Sequence, residues 1–175
     1  MKCDNCGHDN VEGARFCASC GVTLPVGEPE ERSLIGQVVG GRYRIVGLIG
    51  EGGMGIVYKA EQTLGSAVRP VAVKTLHAEL SRDPAVTARF HREVGTVAQL
   101  EHPNTVKVYD FGSTADGALY IAMEYLDGKS LARIIETEGA MPLERIGKIV
   151  RQICGSLEEA HAQGIIHRDL KPENV

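Results

Sequence analysis

The sequence predicts an α+β chain: a five-stranded antiparallel sheet with one helix inserted between its third and fourth strands, then helices only, all preceded by a small cysteine-bearing module. Short runs rich in β-branched and aromatic residues recur between residues 43 and 124, parted by glycines and turn signals. Helical periodicity takes over beyond them, and four of the five cysteines fall within the first twenty residues.

The elements follow in order. Tyr43 to Ile49 and Gly55 to Ala60 read as a hairpin, Val71 to Lys74 as a third strand, and Thr105 to Phe111 and Leu119 to Glu124 as the last two, joined by the turn signal Ala115-Asp116-Gly117. Asp83 followed by Pro84 starts the inserted helix, the carboxylate capping free amides and proline occupying the first turn. Phe90, Val94, Val97 and Leu100 mark its apolar face. A second strong helix begins near Pro142, turns Ile146, Ile149, Val150, Ile153 and Leu157 inward, and closes at Gly164. Residues 1–24 form one zone, and 42–175 the main domain. Residues 25–41, with Pro25, Pro29 and Glu28, Glu30 and Glu31, offer little apolar surface to repay ordering and read as a flexible linker.

Composition narrows the function. The net charge is −4, and residues 1–24 carry two basic against three acidic side chains, so no zone has the basic excess of an electrostatic nucleic-acid binder. No stretch approaches the ~18 to 20 apolar residues of a membrane span, and the start is not a signal peptide. The expectation is a cytoplasmic protein with no nucleic-acid partner.

Cys3-x-x-Cys6 and Cys17-x-x-Cys20 supply four thiolates in two tight pairs, which suits tetrahedral Zn²⁺, and a glycine follows each pair at Gly7 and Gly21. With only Val11, Phe16 and Leu24 as bulky apolar groups, the segment needs such a staple. Disulfides are the alternative. Four thiolates leave no open coordination position, so the zinc would be structural. The fragment resembles the short zinc ribbons at the front of many bacterial regulatory proteins, which implies a protein partner for it. His8 reads as a solvated residue and Cys154 as an ordinary buried thiol of the late helix.

Gly50-Glu51-Gly52-Gly53-Met54-Gly55 fits G-x-G-x-x-G, which dinucleotide folds share. Here Gly55 runs into the β-type Ile56-Val57-Tyr58, so the loop should be a hairpin over phosphates. Lys74 closes the third strand, Glu93 sits in the inserted helix, and His167-Arg168-Asp169-Leu170-Lys171-Pro172-Glu173-Asn174 stands near the end. Together with Val57, Ala72, His102-Pro103-Asn104 and Met123-Glu124-Tyr125-Leu126, these resemble eukaryotic-like bacterial serine/threonine protein kinases over residues 42–175.

The resemblance implies a kinase N-lobe and the first helices of a C-lobe, with ATP and Mg²⁺ as cofactors and a protein Ser/Thr hydroxyl as substrate. It makes Ile49, Val57 and Ala72 the adenine sandwich, Met123 the gatekeeper, and the backbone of Glu124 and Leu126 the base's hydrogen-bond partners. Lys74, paired with Glu93, would hold the α- and β-phosphates. Asp169 would take the proton of the attacking hydroxyl, Lys171 neutralise the transferred phosphoryl group, and Asn174 ligate magnesium. Arg168 would meet an activation-loop phosphate, and His167 would pack in the core.

Asp110-Phe111-Gly112 spells the kinase magnesium motif but precedes the catalytic loop, so it reads as an ordinary strand end. The genuine motif is expected beyond Val175, where the family often also carries a membrane span. The chain alone is therefore expected to be inactive, with Ile146, Ile149, Ile153 and Leu157 left as an uncovered apolar patch. The alternative function is a non-catalytic nucleotide-binding and protein-interaction module.

Overall fold

The computed structural model describes residues 2–3, 5–10, 18–20, 34–52, 55–77, 81, 83–114 and 116–175. Internal contacts divide the chain into two units, Met1–Leu34 and Ile35–Val175.

The larger unit is built on a six-stranded antiparallel sheet: β1 (Val38–Val39), β2 (Tyr43–Gly52), β3 (Gly55–Leu64), β4 (Ala67–Leu76), β5 (Val108–Ser113) and β6 (Leu119–Glu124), in the order β1-β2-β3-β4-β6-β5. The five expected strands are all present, with β3 and β4 longer than their apolar runs. The sixth strand, β1, falls inside the segment expected to be a linker. Gly40 and Gly41, at φ 57° and 71°, turn the chain so that Val38 and Val39 pair with Arg44 and Tyr43. Two successive residues at positive φ are what a tight hairpin turn requires, and only glycine adopts them without strain.

Helix α1 (Pro84–Val97) starts as expected, Asp83 accepting from the Ala85 N–H at 2.8 Å with proline in its first turn. Phe90 is its buried residue and meets Phe111 of β5 edge-on, with ring centres 6.4 Å apart. Helix α2 (Leu131–Glu138), capped by Ser130, was not expected; α3 (Leu143–Ala162) was, and Gly164 at φ 75° ends it. A short 3₁₀ turn spans Pro172–Asn174.

The core lies on one face of the sheet, where Tyr43, Ile45, Tyr58, Ala60, Val71, Val73 and Ala122 are buried, while Leu119 is buried on the other. On α3 only Ala160 is buried. Ile146 and Val150 are 38% and 49% exposed, and the helix borders an apolar groove of about 750 Å³ shared with Leu131, Ile134 and Leu170. Cys154 is exposed, which corrects its reading as a buried thiol. The neighbouring Gly155, Ser156 and Glu159 make the packed side of that helix, and Cys154 falls off it. No helix among the described residues is long and apolar enough to cross a membrane.

In the Met1–Leu34 unit, the backbones of Lys2 and Asp9 pair in an isolated antiparallel β-bridge, the Cys3 N–H donates to the His8 carbonyl at 3.0 Å, and Gly7 at φ 73° donates to the Cys3 carbonyl at 2.7 Å. This tight turn buries Cys3.

Candidate functional site

Cross-strand register assembles the first part of the site. Val57 lies opposite Lys74, while Ala72 and Lys74 lie opposite Met123 and Ile121 of β6. Directly opposed residues of antiparallel strands share a face, so Val57, Ala72, Lys74 and Met123 line one side of the sheet while Tyr58, Val73 and Ala122 bury the other. Gly50 pairs with Val57, and Gly52 with Gly55 across the hairpin tip. Gly50, Glu51 and Gly52 thus end β2 above the Lys74 face; Gly53 and Met54 lie outside the described residues. Ile49 stands at a bulge between Leu48 and Gly50, about half exposed.

Gly55 has a role that the sequence motif did not suggest. A Cβ there would stand 1.9 Å from the Thr75 carbonyl oxygen, so the close pairing of β3 with β4 itself demands glycine. At the end of β6 the Glu124 N–H donates to the Lys107 carbonyl at 2.8 Å, and the Lys107 N–H donates to Glu124 Oε2 at 3.4 Å. Leu126 follows, 62% exposed.

The second part is the loop after α3. Asp169 accepts through Oδ2 from Lys171 Nζ at 3.1 Å and from Asn174 Nδ2 at 3.1 Å, and its carbonyl accepts from the same Asn174 nitrogen at 2.8 Å. The Lys171 ammonium first, and the Asn174 amide second, hold the Asp169 carboxyl below the usual range. It is therefore ionised at neutral pH. Asn174 commits its nitrogen to Asp169 and keeps Oδ1, the atom a hard cation takes.

Arg168 is the one described non-glycine residue at positive φ, 62°. Such an outlier persists only where its surroundings over-determine it. His167 is exposed, correcting the expectation that it packs in the core; its Nδ1 and its carbonyl both accept from the Asp169 N–H, at 3.3 and 2.9 Å, so the ring closes the turn instead.

Lys74 and Glu93 are not brought together. Glu93 Oε1 accepts from Arg89 Nε at 2.8 Å one turn earlier on α1, with the two side chains 56% and 63% exposed. The Arg89 hydrogen bond is the main reason the Glu93 carboxyl lies below its usual range. Sequence reasoning missed Arg89, although its i,i+4 spacing to Glu93 was legible.

Asp110 is fully engaged in the fold. Its Oδ2 accepts from the hydroxyls of Tyr43 and Tyr120 at 3.1 and 3.5 Å, Arg42 Nη1 stands 3.7 Å away, and Oδ1 accepts from the Phe111 N–H at 2.9 Å. Burial first, then the Asp110 charge, pushes the Tyr43 phenol up to about 12. Asp110-Phe111-Gly112 therefore serves strand packing, as its place before the Asp169 loop suggested.

In the Met1–Leu34 unit the sulfurs of Cys3, Cys6 and Cys20 lie within 4.8 Å of one another, and Cys3 Sγ is 3.7 Å from Cys20 Sγ. Zn–S bonds of about 2.3 Å in a tetrahedron set sulfurs roughly 3.8 Å apart, so the three fit one ion. Cys17 lies outside the described residues.

Residues 43–175 match the protein kinase domain family. The chain is 44% identical over 147 residues to the serine/threonine-protein kinase pkn3 of Myxococcus xanthus, covering 84% of this chain and 26% of that protein. It is 43% identical over 135 residues to the serine/threonine-protein kinase PknE of Mycobacterium tuberculosis, covering 77% and 23%. The chain thus spans about a quarter of the length of these curated relatives. Crystal structures of the Mycobacterium tuberculosis PknI kinase domain superpose with TM-scores of 0.67 and 0.69 at 32% identity, covering 80% and 82% of this chain and 56% and 57% of theirs. The Lys74 face, the Asp169 loop and these likenesses agree: the chain belongs to the protein kinase domain family, among relatives that are bacterial serine/threonine-protein kinases.

Proposed function

We propose that residues 42–175 contribute the nucleotide face and catalytic loop of an enzyme that transfers a phosphoryl group from ATP to a protein Ser/Thr hydroxyl. The observation that carries this reading is the bonded set Asp169, Lys171 and Asn174. An ionised Asp169 accepts the hydrogen bond of an incoming hydroxyl and aims its oxygen at the phosphorus; held below the usual range, it is a weak base that receives the proton late. Lys171, three ångströms from Asp169 on an exposed side chain, swings to the transferred group as negative charge builds there. Mg²⁺ bound at Asn174 Oδ1 would supply further charge neutralisation. Val57, Ala72, Met123 and Ile49 offer the apolar surface for adenine, the Glu124 carbonyl and Leu126 N–H its polar edge, and Lys74 with the Gly50–Gly52 backbone the phosphates.

The test is calorimetric binding of Mg²⁺-ATP. Binding that weakens roughly tenfold or more in Lys74→Met, the loss expected of a charge-assisted contact, supports the reading. No binding, or binding indifferent to Lys74, defeats it. Phosphorylation of a Ser/Thr peptide by the enzyme, abolished by Asp169→Asn, extends it to the chemistry.

Residues 1–24 are proposed to hold structural Zn²⁺ through Cys3, Cys6 and Cys20, with Cys17 as fourth ligand, and to present a protein-binding module joined by a linker. The sulfur spacing supports this. One zinc per chain, lost in Cys3→Ser, is the expected result of metal analysis; a disulfide between Cys3 and Cys20 in the protein as isolated would replace it.

A further inference from the structure

The glycine loop is tied to the far side of the sheet by a side chain that lies outside its motif. His77, the residue after β4, reaches past the start of β3 and bonds the Gly52 carbonyl through Nε2 at 3.1 Å. A carbonyl can only accept, so Nε2 carries the proton. Strand register brings the two residues within reach. Gly52 pairs with Gly55, and Gly55 with Leu76, so β2, β3 and β4 meet at one end of the sheet. Gly55, between them, presents no side chain.

His77 is itself held from behind. Its carbonyl accepts from Ser81 Oγ at 3.5 Å, and the same Oγ accepts from the Leu119 N–H of β6 at 3.1 Å. The Ser81 carbonyl accepts from the Thr87 hydroxyl of α1 at 3.3 Å. A run of hydrogen bonds thus leads from the loop through His77 and Ser81 to β6 and α1, two elements outside the hairpin.

The bond bears on what the loop can offer a nucleotide. Backbone N–H groups attract phosphate oxygens, and backbone carbonyls repel them. An imidazole N–H on the Gly52 carbonyl occupies one such acceptor and fixes its direction. Glycines also have much backbone freedom to lose when a ligand orders them, and a bond already made lowers that cost. We propose that His77 is a positioning residue that clamps the glycine loop at Gly52, so that the loop backbone meets the nucleotide's phosphates in one arrangement. Ala72 and Met123 pair with each other well back from the hairpin tip, so the effect falls on the phosphates and not on adenine. The action on phosphate rests on the phosphotransfer reading above; the clamp itself does not.

The experiment compares the full chain with His77→Ala and with His77→Gln, whose side-chain amide keeps a donor. Affinities for Mg²⁺-ATP and for adenosine are measured by calorimetry, and the Gly52 carbonyl carbon is followed by NMR. In His77→Ala the Gly52 carbonyl resonance should move and the Kd for Mg²⁺-ATP should rise roughly three- to tenfold, the worth of one hydrogen bond, while that for adenosine stays within about twofold. His77→Gln should lie closer to wild type on both readouts. An equal loss for ATP and adenosine in a folded His77→Ala would overturn the inference, because a general loosening of the sheet does not distinguish the two ligands. An unchanged ATP affinity would overturn it too, as would a Gly52 carbonyl that does not respond. A wild-type chain that binds neither ligand would sink the phosphotransfer reading, while the Gly52 resonance still decides whether His77 clamps the loop.

Discussion

The sheet and the region of α3 and the Asp169 loop in the kinase-like unit are held by different forces. The sheet buries a continuous face, from Tyr43 and Ile45 through Ala60, Val71 and Val73 to Ala122, all at 1% exposure or less. Along α3 the apolar stripe of Ile146, Ile149, Val150, Ile153 and Leu157 stays partly exposed beside the groove. Helix and loop are located instead by polar contacts: Glu159 and Ser156 on residues 101–105, Lys171 and Asn174 on Asp169. Stability is concentrated in the sheet, and the placement of the Asp169 loop in the hydrogen bonds. The two can therefore be broken separately.

The largest effect belongs to the sheet. Leu119, 1% exposed, leaves a cavity when cut to alanine, and Leu119→Ala should cost ~3 kcal/mol in urea unfolding. Leu143→Ala on α3, where the side chain is 86% exposed, should change stability by less than about 0.5 kcal/mol. Similar losses at both positions would erase the contrast.

The next effect appears in alkali. Tyr43 is buried and its phenol is pushed up to about 12, so between pH 10 and 12 the unfolded chain loses this proton while the folded one keeps it. The stabilisation is complete below pH 10 and disappears as pH rises toward 12, amounting to about 2.7 kcal/mol. Tyr43→Phe should flatten that slope in pH-dependent unfolding curves, and a slope that survives would assign it elsewhere. Smaller again is Ser156→Ala, which leaves the Thr105 hydroxyl without its 2.6 Å partner and should cost ~1 kcal/mol.

The same division explains what was legible in the sequence. Strand runs, the Asp83-Pro84 start and the Gly164 stop are local patterns, and each became the expected element. The glycine loop, Lys74 and Asp169 stood out because the proposed chemistry would need particular residue types at particular spacings. What escaped was decided across space or by a very short signal. β1 rests on two residues and the Gly40-Gly41 turn, too brief for any periodicity. Glu159 carried no motif, because its partners are backbone amides that any residue supplies. Cys154 was assigned to the interior from the apolar side of its helix, yet on a helix the next residue points elsewhere, and nothing local to His167 told that its ring would close a turn instead of packing inside. Lys74 and Glu93 were both found, but their pairing depends on which cation reaches the carboxylate, and Arg89 has the advantage of sitting one turn away on the same helix.

That competition yields the smallest stability effect and the most direct view of the site. The Arg89–Glu93 pair is exposed at both ends, so solvent and the entropy of two long side chains offset most of its attraction. Arg89→Ala should leave the unfolding midpoint within measurement scatter. The Glu93 carboxyl should nevertheless rise toward its ordinary range, because the Arg89 hydrogen bond is the first cause of its depression. NMR titration of that carboxyl carbon reads the change, and an unchanged titration would transfer its control to Arg92 and Arg168, the weaker cations acting on it. A Glu93 released in this way can take Lys74, and the Lys74 ammonium resonance should then respond to Glu93→Gln only in the Arg89→Ala background. A response of equal size with Arg89 present would mean that the two carboxylate partners do not compete. Charge placement at the site would then be set by the packing of α1 against β5 through Phe90 and Phe111, and the sheet would govern alignment as well as stability.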